Sequence, residues 1–180
     1  MNRLIIKSAL VPCLVLTVAL AACRGSGTSS KSPTVAGASP TPAVSVSSDV
    51  VRIGPSAVQI PTNGSADALV TLSISPGFHV NANPATFSYL IATQLTAGKV
   101  EGITVGAPGY PAAVKKKFQF AEQPLAVYEG ETPIKLNLRA ETKAAAGSRS
   151  LPVNVRVQAC DEEQCFPPAT INTTISVTVK

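Results

Sequence analysis

Apolar and polar residues alternate with a period of two through most of the C-terminal part of the chain. The longest alternating runs are Ile134 to Arg139, Val153 to Gln158 and Ile171 to Val179. This pattern is typical of antiparallel strands that bury one face and leave the other in solvent. Turn signals such as Ser75-Pro76-Gly77 separate about seven to nine such runs, which predicts an all-β sandwich of two antiparallel sheets over residues 49–180.

The composition agrees with a β protein that is rich in turns. Fifteen prolines and twelve glycines occur in 180 residues, and no stretch after residue 48 shows a convincing helical period. The chain has no tryptophan, so the core Trp of antibody domains is absent. Two positive charges, Arg3 and Lys7, lie in the first segment, which leaves +3 of the formal net charge of +5. This weak charge, without a basic stripe interleaved with aromatic residues, argues against nucleic acid as a partner.

Residues 1–22 have the features of a secretory leader. Arg3 and Lys7 supply positive charge, and the apolar run from Ala9 to Ala22 is too short to be read as a membrane-spanning helix. The run ends in Leu20-Ala21-Ala22-Cys23, which resembles the lipobox of bacterial lipoproteins. We therefore predict cleavage after residue 22 and lipidation of Cys23. Ordinary secretion, with a cysteine at this position by chance, is the alternative.

Residues 23–48 connect the predicted lipid anchor to the predicted sandwich. They are rich in Ser, Thr, Pro, Gly and Ala and almost free of charge, so they cannot bury enough apolar surface to offset the entropy of ordering. We predict a flexible tether that holds the domain about 25–30 Å from the bilayer. The protein would face the periplasm, attached to a membrane by lipid alone. Arg24 after the lipidated cysteine favours the outer membrane over the inner membrane.

The chain contains four cysteines, and one pair of them remains available for chemistry. Cys13 leaves with the leader and Cys23 takes the lipid, which leaves Cys160 and Cys165. This pair follows an alternating strand and precedes two prolines that cannot donate to a β-ladder. We therefore predict that both side chains lie on a short loop near a sheet edge, where a partner protein reaches them.

The size of the cysteine loop favours redox chemistry over stabilisation. A disulfide between Cys160 and Cys165 would close only about six residues and contribute roughly 2 kcal/mol, against about 5 kcal/mol for a loop of a hundred. A bridge kept for stability gains more from linking distant strands. Asp161, Glu162 and Glu163 disfavour a thiolate beside them. We predict a relay that exchanges with a more reactive partner thiol and needs no cofactor besides the disulfide itself.

Two other interpretations of the cysteine pair stay open. The pair could be a structural clip in a lipid-anchored binding module, or its thiolates could bind Cu(I), with His79 as the one imidazole in the chain. The four-ligand spacing of a zinc site is missing, and we predict no resident metal. No Ser/His/Asp arrangement, phosphate-binding glycine loop or carboxylate pair indicates a hydrolase or a kinase.

The residues around the cysteines and around His79 form recognisable motifs. These are Gln158-Ala159-Cys160 with Cys165-Phe166-Pro167-Pro168, and the segment Gly77-Phe78-His79-Val80-Asn81-Ala82-Asn83-Pro84. They resemble the active-site loop and a Gly-aromatic-His-x-Asn-x-Asn-Pro segment of the N-terminal periplasmic domain of the thiol:disulfide interchange protein DsbD family. Further segments in matching order are Tyr110-Pro111, Lys115 to Phe118 and Val127 to Glu131. The resemblance covers about Ala57 to Val179, although the family's best-known members have one more residue between the cysteines.

The resemblance implies an immunoglobulin-like β-sandwich that carries electrons by dithiol–disulfide exchange in the periplasm. It implies that Cys165 forms the mixed disulfide with partners and that Cys160 resolves it. It also implies a cap loop over the pair, which would fall within Phe118 to Val127 with Phe120 as its aromatic residue. The expected partners are thioredoxin-like periplasmic proteins and a separate membrane electron donor, because the membrane-embedded and thioredoxin-like domains of DsbD are not recognised in this sequence.

The other candidate residues receive simpler interpretations. Phe166 and Pro167, next to Cys165, are predicted to contact a partner. His79 is predicted to be a structural loop residue rather than a neighbour of the site, and Lys115 to Lys117 a solvated charge run rather than a docking surface. We expect the protein to act as a monomer.

Overall fold

A computed structural model of the protein describes residues 44–180, which form an all-β domain. The predicted leader (1–22) with Cys13, the predicted lipidation site Cys23 and most of the predicted tether lie outside the described residues. In the described part, the helical structure is one short 3-10 turn, Ser47–Asp49. That part of the chain contains no helix capable of spanning a lipid bilayer.

Twelve strands follow this turn between residues 51 and 179. They are β1 (Val51–Ile53), β2 (Ser56–Ile60), β3 (Ser65–Ile74), β4 (His79–Asn81), β5 (Gln94–Ala97), β6 (Ile103–Gly109), β7 (Val114–Lys116), β8 (Leu125–Tyr128), β9 (Glu131–Ala140), β10 (Gly147–Val157), β11 (Ala159–Cys160) and β12 (Ala169–Val179). The three longest alternating runs of the sequence lie in β9, β10 and β12, so the period of the pattern is a sound guide to these strands.

The strands form three four-stranded sheets. Their orders are β1-β3-β9-β6, β2-β12-β10-β5 and β11-β4-β8-β7. Neighbouring strands pair antiparallel except β2 and β12, which are parallel. The longest ladder joins β10 to β12 without a break, from Gly147 opposite Val179 to Val157 opposite Ala169. The prediction of an all-β, mainly antiparallel fold is confirmed, but the described residues form twelve strands in three sheets rather than seven to nine strands in two.

The buried faces of the first two sheets share one apolar core. In β9, every second residue from Thr132 to Ala140 is buried, and the same holds in β10 from Leu151 to Val157. Leu136 of the first sheet and Val177 of the second belong to the same buried cluster. Full burial of one aliphatic side chain contributes about 1.5–3 kcal/mol. A shift of register by one residue would expose a whole face, and the alternation therefore fixes which side of each strand turns inward.

The third sheet extends from this core and carries the cysteines. Val80 of β4 and Ala159 of β11 belong to the main core, whereas Leu125 and Val127 of β8 form a second, smaller cluster with Phe118. β11 is one of the two edge strands of this sheet. The cysteine strand therefore lies at a sheet edge, where the sequence places it.

The folded domain begins earlier than predicted, inside the segment 23–48. Ser47 is fully buried, and its backbone N–H and Oγ donate to the carbonyl of Pro167 at 3.1 and 2.7 Å. The same Oγ accepts from the backbone N–H of Ala159 at 2.9 Å. Ser47 thus joins the chain segment just before Cys160 to the segment that follows Cys165. The tether prediction is wrong for residues 44–48, because composition alone does not reveal a serine whose hydroxyl satisfies backbone groups far along the chain.

Substitution of Ser47 by alanine is expected to destabilise the domain by about 1–3 kcal/mol, because the buried N–H of Ala159 loses its acceptor. Urea unfolding of the wild type and the variant measures this difference. Ser48→Ala is the matched control, since the backbone carbonyl of Ser48 accepts from Arg52 and is kept in that variant. Equal midpoints for the Ser47 variant and the wild type would show that water replaces the hydroxyl without cost.

Candidate redox site

The two predicted cysteines form a disulfide across a tight hairpin. The sulfurs are 2.02 Å apart, the Cα atoms 3.9 Å apart, and the two residues lie directly opposite each other as an antiparallel bridge. Hydrogen bonds close the hairpin on both sides of the bridge. Phe166 N donates to Ala159 O at 2.8 Å, and Asp161 N donates to Gln164 O at 2.9 Å. The loop is therefore short enough to keep the sulfurs within bonding reach when the bond is broken.

The acidic residues of the loop have structural roles of their own. The Asp161 carboxylate accepts from the backbone N–H groups of Glu163 and Gln164, each at 2.8 Å. This local bonding is what favours Asp in tight turns. The Glu162 carboxylate lies 3.0 Å from Lys116 Nζ. Lys116 is on β7, the edge strand of the third sheet opposite β11. Asp161 therefore shapes the turn, and Glu162 ties it to the opposite edge of the third sheet.

The two cysteines differ in their access to solvent. Cys160 is 0% exposed, whereas Cys165 is partly exposed. The prediction that a partner reaches both side chains is wrong for Cys160, because β4 and the apolar core cover β11. An incoming thiolate must reach a sulfur from solvent, and Cys165 is the cysteine of the pair that is accessible to solvent.

His79 lies beside the disulfide and not in a loop. It is the first residue of β4, is 1% exposed and pairs directly with Cys160 on β11. Its ring stacks on Phe118 with centroids 4.0 Å apart, and its buried Nε2 has no hydrogen-bond partner. The interpretation of His79 as a structural loop residue is therefore wrong. The sequence does not show which strand will pair with the cysteine strand.

Burial holds the pKa of His79 below its ordinary value of 6.5, and the positive charge of Lys116 lowers it further. The carboxylates of Glu129, Glu162 and Asp161 oppose this shift in part. Burial dominates because desolvation penalises the charged imidazolium. The ring is therefore neutral near neutral pH.

Acidification is expected to destabilise the domain through His79, the one histidine of the chain. Because its folded-state pKa lies below 6.5, the unfolded chain takes up the proton first as the pH falls. The contribution of the neutral ring is fully present above about pH 6.5 and is lost as the pH falls towards the folded-state pKa. Urea unfolding of the wild type and His79→Gln at several pH values between about 5.5 and 7.5 checks this. The variant should show the flatter pH dependence, and parallel curves would contradict the assignment.

Lys116 connects three parts of the site. Its Nζ lies 2.8 Å from a Glu129 oxygen, 3.0 Å from a Glu162 oxygen and 5.4 Å from the centre of the Phe118 ring. Hydrogen bonds to the two carboxylates raise the pKa of Lys116. Lys115 and Lys117 are exposed, so the interpretation of a solvated run holds for them and not for Lys116. Because these ion pairs are partly solvated, they position the loop more than they stabilise the fold.

Three rings stack next to the cysteine hairpin. Phe118 is 1% exposed and lies between His79, at 4.0 Å, and Phe120, at 5.3 Å. Phe120 is 42% exposed and forms the outer ring of the stack. The segment after Phe118 is held by Lys117 Nζ, which donates to the carbonyls of Ala121 and Glu122 at 2.5 Å each. The predicted cap aromatic, Phe120, is thus stacked on Phe118, and Phe118 is the ring that contacts His79.

Comparison with known proteins identifies the family to which the chain belongs. Residues 54–176 match the family described as thiol:disulfide interchange protein DsbD, N-terminal. The chain belongs to this family. The recognition made from the sequence is confirmed, and the fold is the expected immunoglobulin-like β-sandwich. No curated protein gives a significant match to the chain.

Solved structures similar to the chain include other DsbD N-terminal domains. The reduced DsbD n-terminal domain of Neisseria meningitidis is 18% identical, with a TM-score of 0.42 over 62% of this chain and 77% of that chain. The complex of the DsbD and PilB N-terminal domains from the same species gives 16% identity and a TM-score of 0.41, over 60% and 73%. The N-terminal periplasmic domain of ScsB from Proteus mirabilis gives 12% identity and a TM-score of 0.41, over 71% and 44%.

Membership of the DsbD N-terminal family and the Cys160–Cys165 disulfide together support thiol:disulfide exchange as the chemistry of this site. Within residues 44–180, no group of three or more His, Cys, Asp or Glu side chains is arranged to hold a metal ion. The Cu(I) interpretation would therefore rest on the two reduced cysteines alone.

The two residues predicted to contact a partner differ in exposure. Phe166 is buried, and its ring packs against Phe78 with centroids 5.9 Å apart. Pro167 is exposed, although its carbonyl is bound by Ser47. Of the two, Pro167 is the residue whose side chain is accessible from solvent.

Sequence reasoning missed four residues that form the site around the DsbD-type cysteine hairpin. These are Ser47, His79 as a site residue, Lys116 and Phe118. The available signal was the Gly77 to Pro84 segment, in which a histidine and two asparagines follow a turn and precede a proline. That segment indicates an unusual local structure, but it does not show that β4 will lie against β11.

Proposed function

We propose that this protein relays electrons by dithiol–disulfide exchange between a membrane reductase and thioredoxin-like protein partners in the periplasm. The observation that carries the proposal is a disulfide at a sheet edge that joins a fully buried cysteine to a partly exposed one. A purely structural bridge needs no such difference in exposure. A dithiol that reacts with a partner needs one cysteine to be attacked and one to be kept in reserve.

The relay proceeds in two exchange steps. The thiolate of Cys165 in the reduced protein attacks a disulfide sulfur of the partner, which forms a mixed disulfide and releases one partner thiolate. Cys160 then attacks the sulfur of Cys165, which forms the Cys160–Cys165 disulfide and releases the second partner thiolate. Two electrons pass to the partner, which takes up two protons. A donor dithiol reverses these steps and returns the protein to its reduced form.

The hairpin suits this exchange for geometric and energetic reasons. Ladder bonds on both sides hold Cys160 opposite Cys165, so the second attack is intramolecular and fast. The bridge closes only a short loop and stabilises the fold by roughly 2 kcal/mol in the chain-entropy model, so the domain stays folded without it. Folding therefore does not oppose reduction strongly.

A redox titration of the full chain tests the proposal. The protein is equilibrated in thiol–disulfide buffers of known potential, and free thiols are counted by alkylation and mass. We expect Cys160 and Cys165 to titrate together above about −300 mV. The double variant Cys160→Ser, Cys165→Ser supplies the labelling background. A midpoint well below about −300 mV would mark a structural clip and overturn the relay.

We further propose that the domain faces the periplasm on a lipid attached to Cys23. The Leu20-Ala21-Ala22-Cys23 motif supports this proposal, with the tether between that cysteine and residue 44 as the spacer. A Cys23→Ser variant is expected to leave the membrane fraction, whereas Cys13→Ser, in the leader, should stay there. Membrane association that survives the loss of Cys23 would contradict the lipid anchor.

A further inference from the structure

Three side chains lie in one row across the cysteine hairpin and its neighbouring strand. Cys160 is opposite Cys165 on one side and opposite His79 on the other. Residues directly opposite in antiparallel strands point to the same face, with Cβ atoms about 4.5–5.5 Å apart. Cys160 therefore has the second cysteine on one flank and an imidazole on the other.

Because Cys160 is buried, the proposed exchange needs a nearby group that can protonate its sulfur. When a partner thiolate attacks Cys165, the bond breaks and Cys160 leaves with the electron pair. A thiolate at this position is 0% exposed, so it lacks hydration, and Asp161 next in the chain and Glu162 add negative charge beside it. The leaving sulfur needs a proton from a nearby group, and in the reverse direction the thiol must give that proton up.

Glu163 of the hairpin is exposed to solvent, and the other charged groups near this sulfur are engaged elsewhere. Asp161 accepts two backbone N–H groups of its turn, and Glu162 is paired with Lys116. Lys116 is also paired with Glu129. His79 differs from these, because its buried Nε2 has no hydrogen-bond partner while the disulfide is closed. A disulfide sulfur is a weak acceptor, and reduction creates beside it the S–H donor or thiolate that the nitrogen lacks.

We propose that His79 is the acid–base partner of Cys160, which gives a proton to its sulfur when the disulfide opens and takes that proton when Cys160 attacks. This inference rests on the proposed exchange function. In the resolving step, the Cys160 thiol transfers its proton to His79, its sulfur bonds to the sulfur of Cys165, and the partner's sulfur leaves with the electron pair. The opening step is the reverse. The incoming partner thiol loses its proton to His79 and its sulfur bonds to Cys165, while the Cys160 sulfur leaves with the electron pair of the broken bond and takes that proton from His79.

The surroundings of His79 suit this role. Lys116 from β7, Glu129 after β8, and Asp161 and Glu162 of the hairpin are the charged groups that act on the ring, and their effects oppose each other in part. Burial keeps the imidazole neutral in the resting protein, which is the form that accepts a proton. The stacked Phe118 ring holds its plane.

A two-step reaction separates His79 from the rest of the exchange. The reduced full chain is mixed with one equivalent of the disulfide reagent 5,5′-dithiobis(2-nitrobenzoate). The first thionitrobenzoate released reports the attack by Cys165, and the second reports resolution by Cys160. In His79→Phe, which keeps a ring for stacking on Phe118, the first step should change by less than about threefold and the second should slow about 100-fold or more. The wild-type rate of the second step should show an inflection with pH that the variant lacks.

The variant His79→Gln keeps a polar side chain without the titrating ring, and it is measured alongside in case His79→Phe does not fold. Its second step should slow to a similar degree. A second step within about threefold of the wild type in either folded variant, with the same pH profile, would overturn the inference. If the wild type itself releases no second thionitrobenzoate, the failure lies with the proposed exchange function and not with His79.

Discussion

A Cys160→Ser variant should accumulate as a covalent complex with its redox partner, joined through Cys165, and should show no turnover. The variant keeps the partly exposed cysteine, which meets the partner in the proposed relay, and loses the buried one, which releases the partner there. The mixed disulfide then has no neighbouring thiol to attack it, because Cys160 is the residue opposite Cys165 in the hairpin. Non-reducing electrophoresis of extracts from cells that produce the variant, followed by mass spectrometry of the trapped band, provides the measurement.

The reciprocal variant is the matched control for this trap. Cys165→Ser leaves only the 0% exposed Cys160, which a folded partner does not reach, so no complex should form. Both variants lose the same disulfide, and any effect of lost stability is therefore common to them. Complexes that accumulate with Cys165→Ser and not with Cys160→Ser would reverse the roles of the cysteines. Complexes with neither would indicate that the bridge is a clip.

The parts of this protein that could be predicted from sequence are those in which the signal is local. The alternation in β9, β10 and β12 is a property of neighbouring residues, because each strand buries one face by itself. The cysteine pair is equally local, with a sequence separation of five. Both could therefore be predicted from the residues alone, and the motif around the pair indicated the DsbD N-terminal family.

The surroundings of the disulfide could not be predicted in this way, because they come from distant parts of the chain. His79 meets Cys160 through the pairing of β4 with β11, and Lys116 meets Glu162 across the same sheet. Ser47 bonds Pro167 over a separation of 120 residues. The order of strands in the sheets decides these contacts. A period-two pattern does not predict that order, because the pattern of a strand is the same whichever strand pairs with it.

The choice between Phe118 and Phe120 as the residue that covers the site shows the same limit. The family resemblance places an aromatic cap between Phe118 and Val127, and the exposed Phe120 fits a residue that a docking partner displaces. In the structure, Phe118 is the ring in contact with His79, and Phe120 stacks on its outer face. The two positions make different predictions for stability and for the rate of reduction.

Truncation of Phe118 is expected to cost about 3–5 kcal/mol, the range for a buried phenylalanine changed to alanine. The ring fills the small cluster with Leu125 and Val127, so its loss opens a cavity beside His79. Phe120→Ala should cost less than about 1 kcal/mol, because much of that ring is already in solvent. Thermal and urea unfolding of the two variants provide the comparison.

The rate at which a small thiol such as dithiothreitol reduces the disulfide shows which ring covers the disulfide, Phe118 or Phe120. Phe118→Leu keeps most of the buried volume and removes the stack on His79, so it serves where Phe118→Ala is too unstable. If Phe118 is the cover, Phe118→Leu should speed reduction more than Phe120→Ala, since the outer ring would shield the sulfurs only through the inner one. The opposite order would restore Phe120 as the cap that the resemblance implies. It would also mean that Phe118 positions the imidazole of His79 but does not shield the disulfide. Phe120 would then shield the disulfide, and His79 would transfer the proton, so that two different rings of one stack have these two roles.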